Sequence, residues 1–172
     1  HCSFLNLYKP VGVAQSLTAR VAVSGDGTAN TINGNGDGNL ISGLGGNDTL
    51  SGQGGNDTIK LGDGLNTVED SGGNNRISVG DGWAVIETRD GKDDIRVGDG
   101  GFLISTRDGD KKITAGDGDI EVFAGNGKNT ISLGDGKNEI HSGDGNNKIT
   151  VGDGSSFIYV GDGNNSIKTG DS

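Results

Sequence analysis

Residues 142–150 read Ser-Gly-Asp-Gly-Asn-Asn-Lys-Ile-Thr, and the pattern of this nonamer runs through almost the whole chain. With Ile149 at position 8, every ninth residue from Val23 to Ile167 is valine, leucine or isoleucine, without one insertion. Position 4 is glycine at every step from Gly46 to Gly163. Position 2 is often glycine too, as in Gly62, Gly80, Gly98, Gly116 and Gly152. A register held this long marks a repeat architecture.

The repeat has a direct physical reading. Closely spaced glycines permit positive φ and a tight turn. Positions 7, 8, 9 and the next position 1 form a short strand whose side chains alternate out, in, out, in. Position 8 is therefore a core column. Position 1 also points inward and is apolar at Leu61, Val79, Val97, Leu133, Val151 and Val160. Two nonamers make one coil of 18 residues with two opposed strands. The expected fold is all-β: a parallel β-roll or β-solenoid over residues 23–172, with about eight coils, on the order of 40 Å long at the usual strand spacing.

Composition sharpens this. The 172 residues include 36 glycines, 29% hydrophobic and 4% aromatic residues, a mixture that without periodicity would indicate disorder. The net charge of −10 repels phosphates, so nucleic acid is disfavoured as a partner and cations are favoured. No apolar run is long enough to span a membrane. The single cysteine, Cys2, forms no internal disulfide.

Residues 43–51, Gly-Leu-Gly-Gly-Asn-Asp-Thr-Leu-Ser, and 52–60, Gly-Gln-Gly-Gly-Asn-Asp-Thr-Ile-Lys, resemble the hemolysin-type (RTX) nonapeptide repeat. The resemblance implies a parallel β-roll with Ca²⁺ held in its turns, usually in secreted bacterial proteins. It implies Asp48 and Asp57, at position 6, as calcium ligands. Most other units depart from that motif. Position 6 is asparagine at Asn30, Asn39, Asn66, Asn75, Asn129, Asn138, Asn147 and Asn165, and Ala84, Phe102, Lys111 and Ile120 stand in the middle. An amide oxygen can bind calcium without charge. Equally, an asparagine ladder can satisfy turn backbone groups without metal.

A second acidic column occupies position 3. Asp63, Asp81, Asp99, Asp117, Asp135 and Asp153 fall on one edge, one per coil. Like charges so stacked repel. Either each aspartate caps its own turn by accepting backbone N–H bonds, or the column binds cations, so these six are further candidate calcium ligands.

The two outward faces differ. One carries Glu69, Glu87, Glu121 and Glu139 with Phe123, His141, Phe157 and Tyr159; Trp83 and Phe102 are expected to add to its exposed aromatics. The other carries Lys60, Arg76, Arg96, Lys112, Lys148 and Lys168 among threonines. Complementary faces predict lateral self-association. Residues 1–22 lie outside the repeat and are expected to cap the first coil or to dock on another subunit. The last residues, Gly170-Asp171-Ser172, fall within a repeat, consistent with a longer parent chain or with an end coil covered by a neighbour.

Catalysis finds no support. His1 and His141 are not brought together by the spacing, Cys2 has no base partner, and the aspartates are repeat elements. The expected role is a non-enzymatic, secreted structural subunit of an extracellular fibre, surface layer or matrix. The alternative is a calcium-binding β-roll module of a larger protein, serving as an adhesin, an ice-binding unit or a secretion segment.

Overall fold

The computed structural model describes residues 7–8 and 22–171. They form two parallel sheets and, among the described residues, no helix. The ten-stranded sheet contains β1 (Leu7–Tyr8), β2 (Ala22–Ser24), β4 (Leu40–Leu44), β6 (Thr58–Leu61), β8 (Arg76–Val79), β10 (Asp94–Val97), β12 (Lys112–Ala115), β14 (Thr130–Leu133), β16 (Lys148–Val151) and β18 (Ser166–Lys168). The eight-stranded sheet contains β3 (Thr31–Asn35), β5 (Thr49–Gln53), β7 (Gly64–Asp70), β9 (Gly82–Glu87), β11 (Gly100–Ser105), β13 (Ile120–Ala124), β15 (Asn138–Ser142) and β17 (Ser156–Val160). From β2 onward successive strands alternate between the sheets, so the chain winds as a solenoid. Along the repeat, residues pair with those 18 positions later, as Ile95 does with Ile113 and Ile140 with Ile158, except where the register shifts at Leu44↔Leu61 and Gln53↔Asp70. This is the expected roll of about eight turns.

Position 8 forms the core. Ile41, Leu50, Ile59, Val68, Ile77 and Ile86 are completely buried, and the column continues through Ile149. The inner column of position 1 follows through Leu61, Val79, Val97, Leu133 and Val151. Outward neighbours alternate with them, as the burial pattern of Arg76–Val79 records. Every position-4 glycine from Gly46 to Gly163 has positive φ, between +98° and +141°. There the turn reverses direction in a conformation that L side chains rarely adopt.

The N-terminal segment contributes β1, which pairs in parallel with β2 through Leu7↔Val23 and Tyr8↔Ser24. The rest of residues 1–21, including His1 and Cys2, lies outside the described residues, as does Ser172. One aromatic expectation is corrected. Phe102 sits at position 6 and is 2% exposed, inside the core, because the edge is wide enough to bury that position. Trp83, Phe157 and Tyr159 are exposed as expected.

Candidate metal centre

The solenoid has two edges of stacked turns. One joins the ten-stranded sheet to the eight-stranded sheet and carries Asp48. The other makes the return and carries Asp57. Position 6 is the first residue to turn inward after each bend, which brings its side chain under the neighbouring coil.

Asparagines at this position build a hydrogen-bonded ladder, in which Asn75 Nδ2 and Asn138 Oδ1 are buried without a partner among the described residues. The Oδ1 of Asn147 accepts the backbone N–H of Asn129, that of Asn165 accepts from Asn147, and that of Asn129 from Lys111. Their Nδ2 groups donate back to the carbonyls of their own turns. Asn147 reaches Gly143 O and Gly145 O, and Asn39 reaches Asn35 O and Asp37 O. The turn carbonyls at positions 2 and 4 thus converge on the position-6 side chain. An amide, with one acceptor and two donors, satisfies both neighbours.

Aspartate at position 6 fulfils only half of this. Asp48 Oδ1 accepts the Asn30 N–H at 2.9 Å, and Asp57 Oδ1 accepts the Asn39 N–H at 2.5 Å. A carboxylate has no N–H to return to its turn. Asp48 Oδ2 and Asp57 Oδ2 are consequently buried without a hydrogen-bond partner among the described residues. Asp70, at position 1 of the coil after Asp57, adds a third orphan oxygen, its Oδ2. The Oδ2 atoms of Asp57 and Asp70 crowd the same point, where a Cβ on Gly52 would stand, so only glycine leaves room there. The two turns are also set apart by their backbones. Leu44 (φ 67°) and Gln53 (φ 70°) are the non-glycine residues with positive φ among the described residues, and both stand at position 2 of these turns. Backbone strain of this kind clusters at functional sites.

Electrostatics point the same way. Burial pushes the carboxyl of Asp48 above its ordinary value, against the Asn30 N–H bond, with the charge of Asp26 adding to the rise. Burial likewise raises Asp57, against the bonds from the Asn39 backbone and side chain and a hydrogen bond shared with Asp70, so the Oδ2 atoms of Asp57 and Asp70 have only each other. Asp70 is pushed up to about 7, first by burial and then by its contact with Asp57 and the charge of Asp93, against the opposing N–H of Gly72. Two buried carboxylates side by side without a counter-charge are unfavourable, and a bound cation reverses the balance. No cluster of three or more His, Cys, Asp or Glu side chains occurs among the described residues. A cation here would draw its remaining oxygens from turn carbonyls, a mixture of donors that calcium accepts.

The position-3 aspartates behave differently. All six are exposed. Asp63 Oδ1 accepts the backbone N–H of Asp81, Asp81 that of Asp99, and so on through Asp117, Asp135 and Asp153 to Asp171, at 2.7–2.9 Å. Each aspartate thus receives a hydrogen bond from the next coil, 18 residues on, and not from its own turn as one of the two readings had it. These bonds offset the repulsion along the column.

Two residues on the edge that carries Asp57 escape the sequence reading. Asp93 occupies position 6, and Asp70 occupies position 1, an inward column described from the sequence only where it is apolar. Asp93 lay on the same nine-residue step as Asp57. Asp70 was signalled only by being a carboxylate where its neighbours in the column are small or apolar.

The model of the RTX calcium-binding nonapeptide repeat matches the chain four times, over residues 24–59, 114–149, 123–158 and 141–172. No curated protein and no solved structure matches it. The first match spans both Asp48 and Asp57, and together the four cover more than half of the sequence. Calcium is the ligand these repeats imply, and the chain belongs to the RTX calcium-binding nonapeptide repeat family.

Proposed function

We propose that this chain is an extracellular, non-enzymatic β-roll module whose N-terminal coils are closed by calcium, held at Asp48 and at the pair Asp57 and Asp70. The observation that carries this reading is the set of three buried carboxylate oxygens that no backbone N–H satisfies, two of them in the turns closest to the repeat consensus and the third, from Asp70, beside that of Asp57. When bound, calcium supplies the positive charge that these carboxylates lack. Asp57 and Asp70 give their site two negative charges from successive coils, so one ion ties those coils together. Asp48 gives a single charge and a weaker site. The column from Asp63 to Asp153 is assigned to laddering, since one oxygen of each carboxylate is already engaged.

Isothermal titration with CaCl₂ tests this. Two ions per chain are expected, with Asp48→Asn losing one and the double variant Asp57→Asn, Asp70→Asn losing the other. An unchanged count in both variants rejects the assignment.

A second reading, self-association into a fibre or layer, is favoured by one surface. Phe123, His141 and Tyr159 stack in a column on the eight-stranded face, with centroids 4.9 and 4.8 Å apart. Phe157 is 64% exposed beside them. That face also carries Glu69, Glu87 and Glu139, and the opposite face carries Lys60, Arg76 and Arg96. In this reading the acidic aromatic face of one copy meets the basic face of another. Sedimentation velocity should show association at low salt that Phe157→Ser with Tyr159→Ser removes and that about 1 M salt weakens by screening. A monomer at every concentration and salt rejects it.

A further inference from the structure

Midway along the edge that carries Asp57, a lysine occupies the place that asparagine or aspartate takes at all the other coils of that edge. Lys111 is fully buried, and no other lysine or arginine among the described residues is buried. Its ammonium does not turn back to its own bend. It reaches into the preceding one and donates to Arg89 O at 2.9 Å, to Gly91 O at 2.8 Å and to Asp93 Oδ2 at 2.9 Å. These three bonds use all three donors of the ammonium. The carbonyls belong to positions 2 and 4 and the carboxylate to position 6, so one turn surrounds the charge. Thr88 Oγ1 completes the shell of Asp93 Oδ2 at 2.8 Å, and Asn75 N–H donates to Oδ1 at 3.0 Å.

The contrast with Asp57 gives this meaning. Both turns bury an aspartate at position 6, and both use its Oδ1 to accept the N–H of the coil before. At Asp57 the second oxygen has no partner. At Asp93 it holds a cation that the chain itself supplies. Two carbonyls and a carboxylate around a compact positive charge are also donors of the kind calcium takes. The turn lies in the stretch between residues 59 and 114 that the family model does not match.

We infer that Lys111 is a tethered substitute for a metal ion, and that removing its charge opens a divalent-cation site formed by Asp93 Oδ2, Arg89 O and Gly91 O. The lysine makes this coil independent of dissolved calcium. The calcium-free asparagine ladder then continues from Asn129 to Asn165, so the metal requirement is confined to coils before residue 76. The inference rests on the calcium reading of the family turns, but it has its own readout.

The test is titration of CaCl₂ into wild type, Lys111→Met, and Lys111→Met with Asp93→Asn, with melting followed in EGTA and in calcium. Lys111→Met should bind one ion more than wild type. Its melting temperature should fall in EGTA and recover in calcium. The double variant should match the wild-type count, because the carboxylate is gone. If Lys111→Met does not fold in EGTA, folding on addition of CaCl₂ is the same gain, read by circular dichroism. The inference is overturned if Lys111→Met binds no additional ion, or stays unfolded in calcium while the double variant folds. A wild type that takes up no calcium sinks the reading of Asp48 and Asp57. A wild type that binds there, with no gain in Lys111→Met, sinks only the role of Lys111.

Discussion

Ile131→Asp should abolish the cooperative fold of the C-terminal coils. Ile131 is 1% exposed and lies in register between Ile113 and Ile149 on neighbouring strands. A carboxylate there enters the buried aliphatic column, flanked by Ile113 and Ile149, with no counter-charge. The loss of the aliphatic side chain and the burial of an unpaired polar group act together, and the cost should exceed about 4 kcal/mol. Since each coil contacts only its neighbours, damage at one rung spreads along the rod as fraying. Thr130→Asp is the matched control. Its side chain points outward one residue away, and it should change stability by less than about 0.5 kcal/mol. Circular dichroism and thermal melting separate the two. Equal melting temperatures for both variants would reject the inward assignment of position 8.

Calcium removal should have the second largest effect, and it should be local. At a free calcium concentration of about 100 times the dissociation constant, each bound ion stabilises the folded coils by about 2.7 kcal/mol. EGTA withdraws this from the turns of Asp48, Asp57 and Asp70. The remaining coils keep their amide ladder, whose hydrogen bonds come from the chain itself. A chelator should therefore lower the first melting transition and leave most strand signal in place. The response depends on pH with a definite sign. The carboxyl of Asp70 is raised to about 7 in the fold, above the value of about 3.9 expected when unfolded. Its stabilising contribution to the metal-free protein is full below about pH 4 and is lost as pH rises through about 7. Calcium binds the carboxylate and has the opposite preference. In EGTA the melting temperature should fall between pH 5 and pH 8, and saturating calcium should remove that fall. Complete unfolding in EGTA at neutral pH would show that the asparagine coils also need metal. A melting curve indifferent to both EGTA and pH would contradict the buried carboxylate site.

Much of this was legible in the sequence because the fold is set by a period. The column from Val23 to Ile167 determines the coil length, the inward face and the pairing register at once, since a slip of one residue would bury the outward residues. Asp48 and Asp57 stand out in the sequence because their turns keep the repeat consensus. What escaped depends on how adjacent coils are offset. The N–H accepted by Asp63 comes from Asp81, a residue 18 positions on, and no local turn rule gives that. Phe102 reads as a surface aromatic in a glycine-rich turn, but position 6 lies under the next coil. Lys111 reads as a position lost to calcium. Its role emerges only when the ammonium is seen to reach back to Arg89 and Gly91, two turns of sequence away and one coil distant in space. Asp70 gains its significance only from the oxygen of Asp57 beside it.

Hydrogen exchange followed by mass spectrometry, on the wild-type chain in calcium and in EGTA at pH 7.5, tests the central claim most directly. Calcium should slow exchange strongly in peptides spanning residues 40–75, which contain Asp48, Asp57 and Asp70, and leave residues 88–168 unchanged. Uniform protection along the rod, or none at residues 40–75, would contradict calcium sites confined to the N-terminal coils.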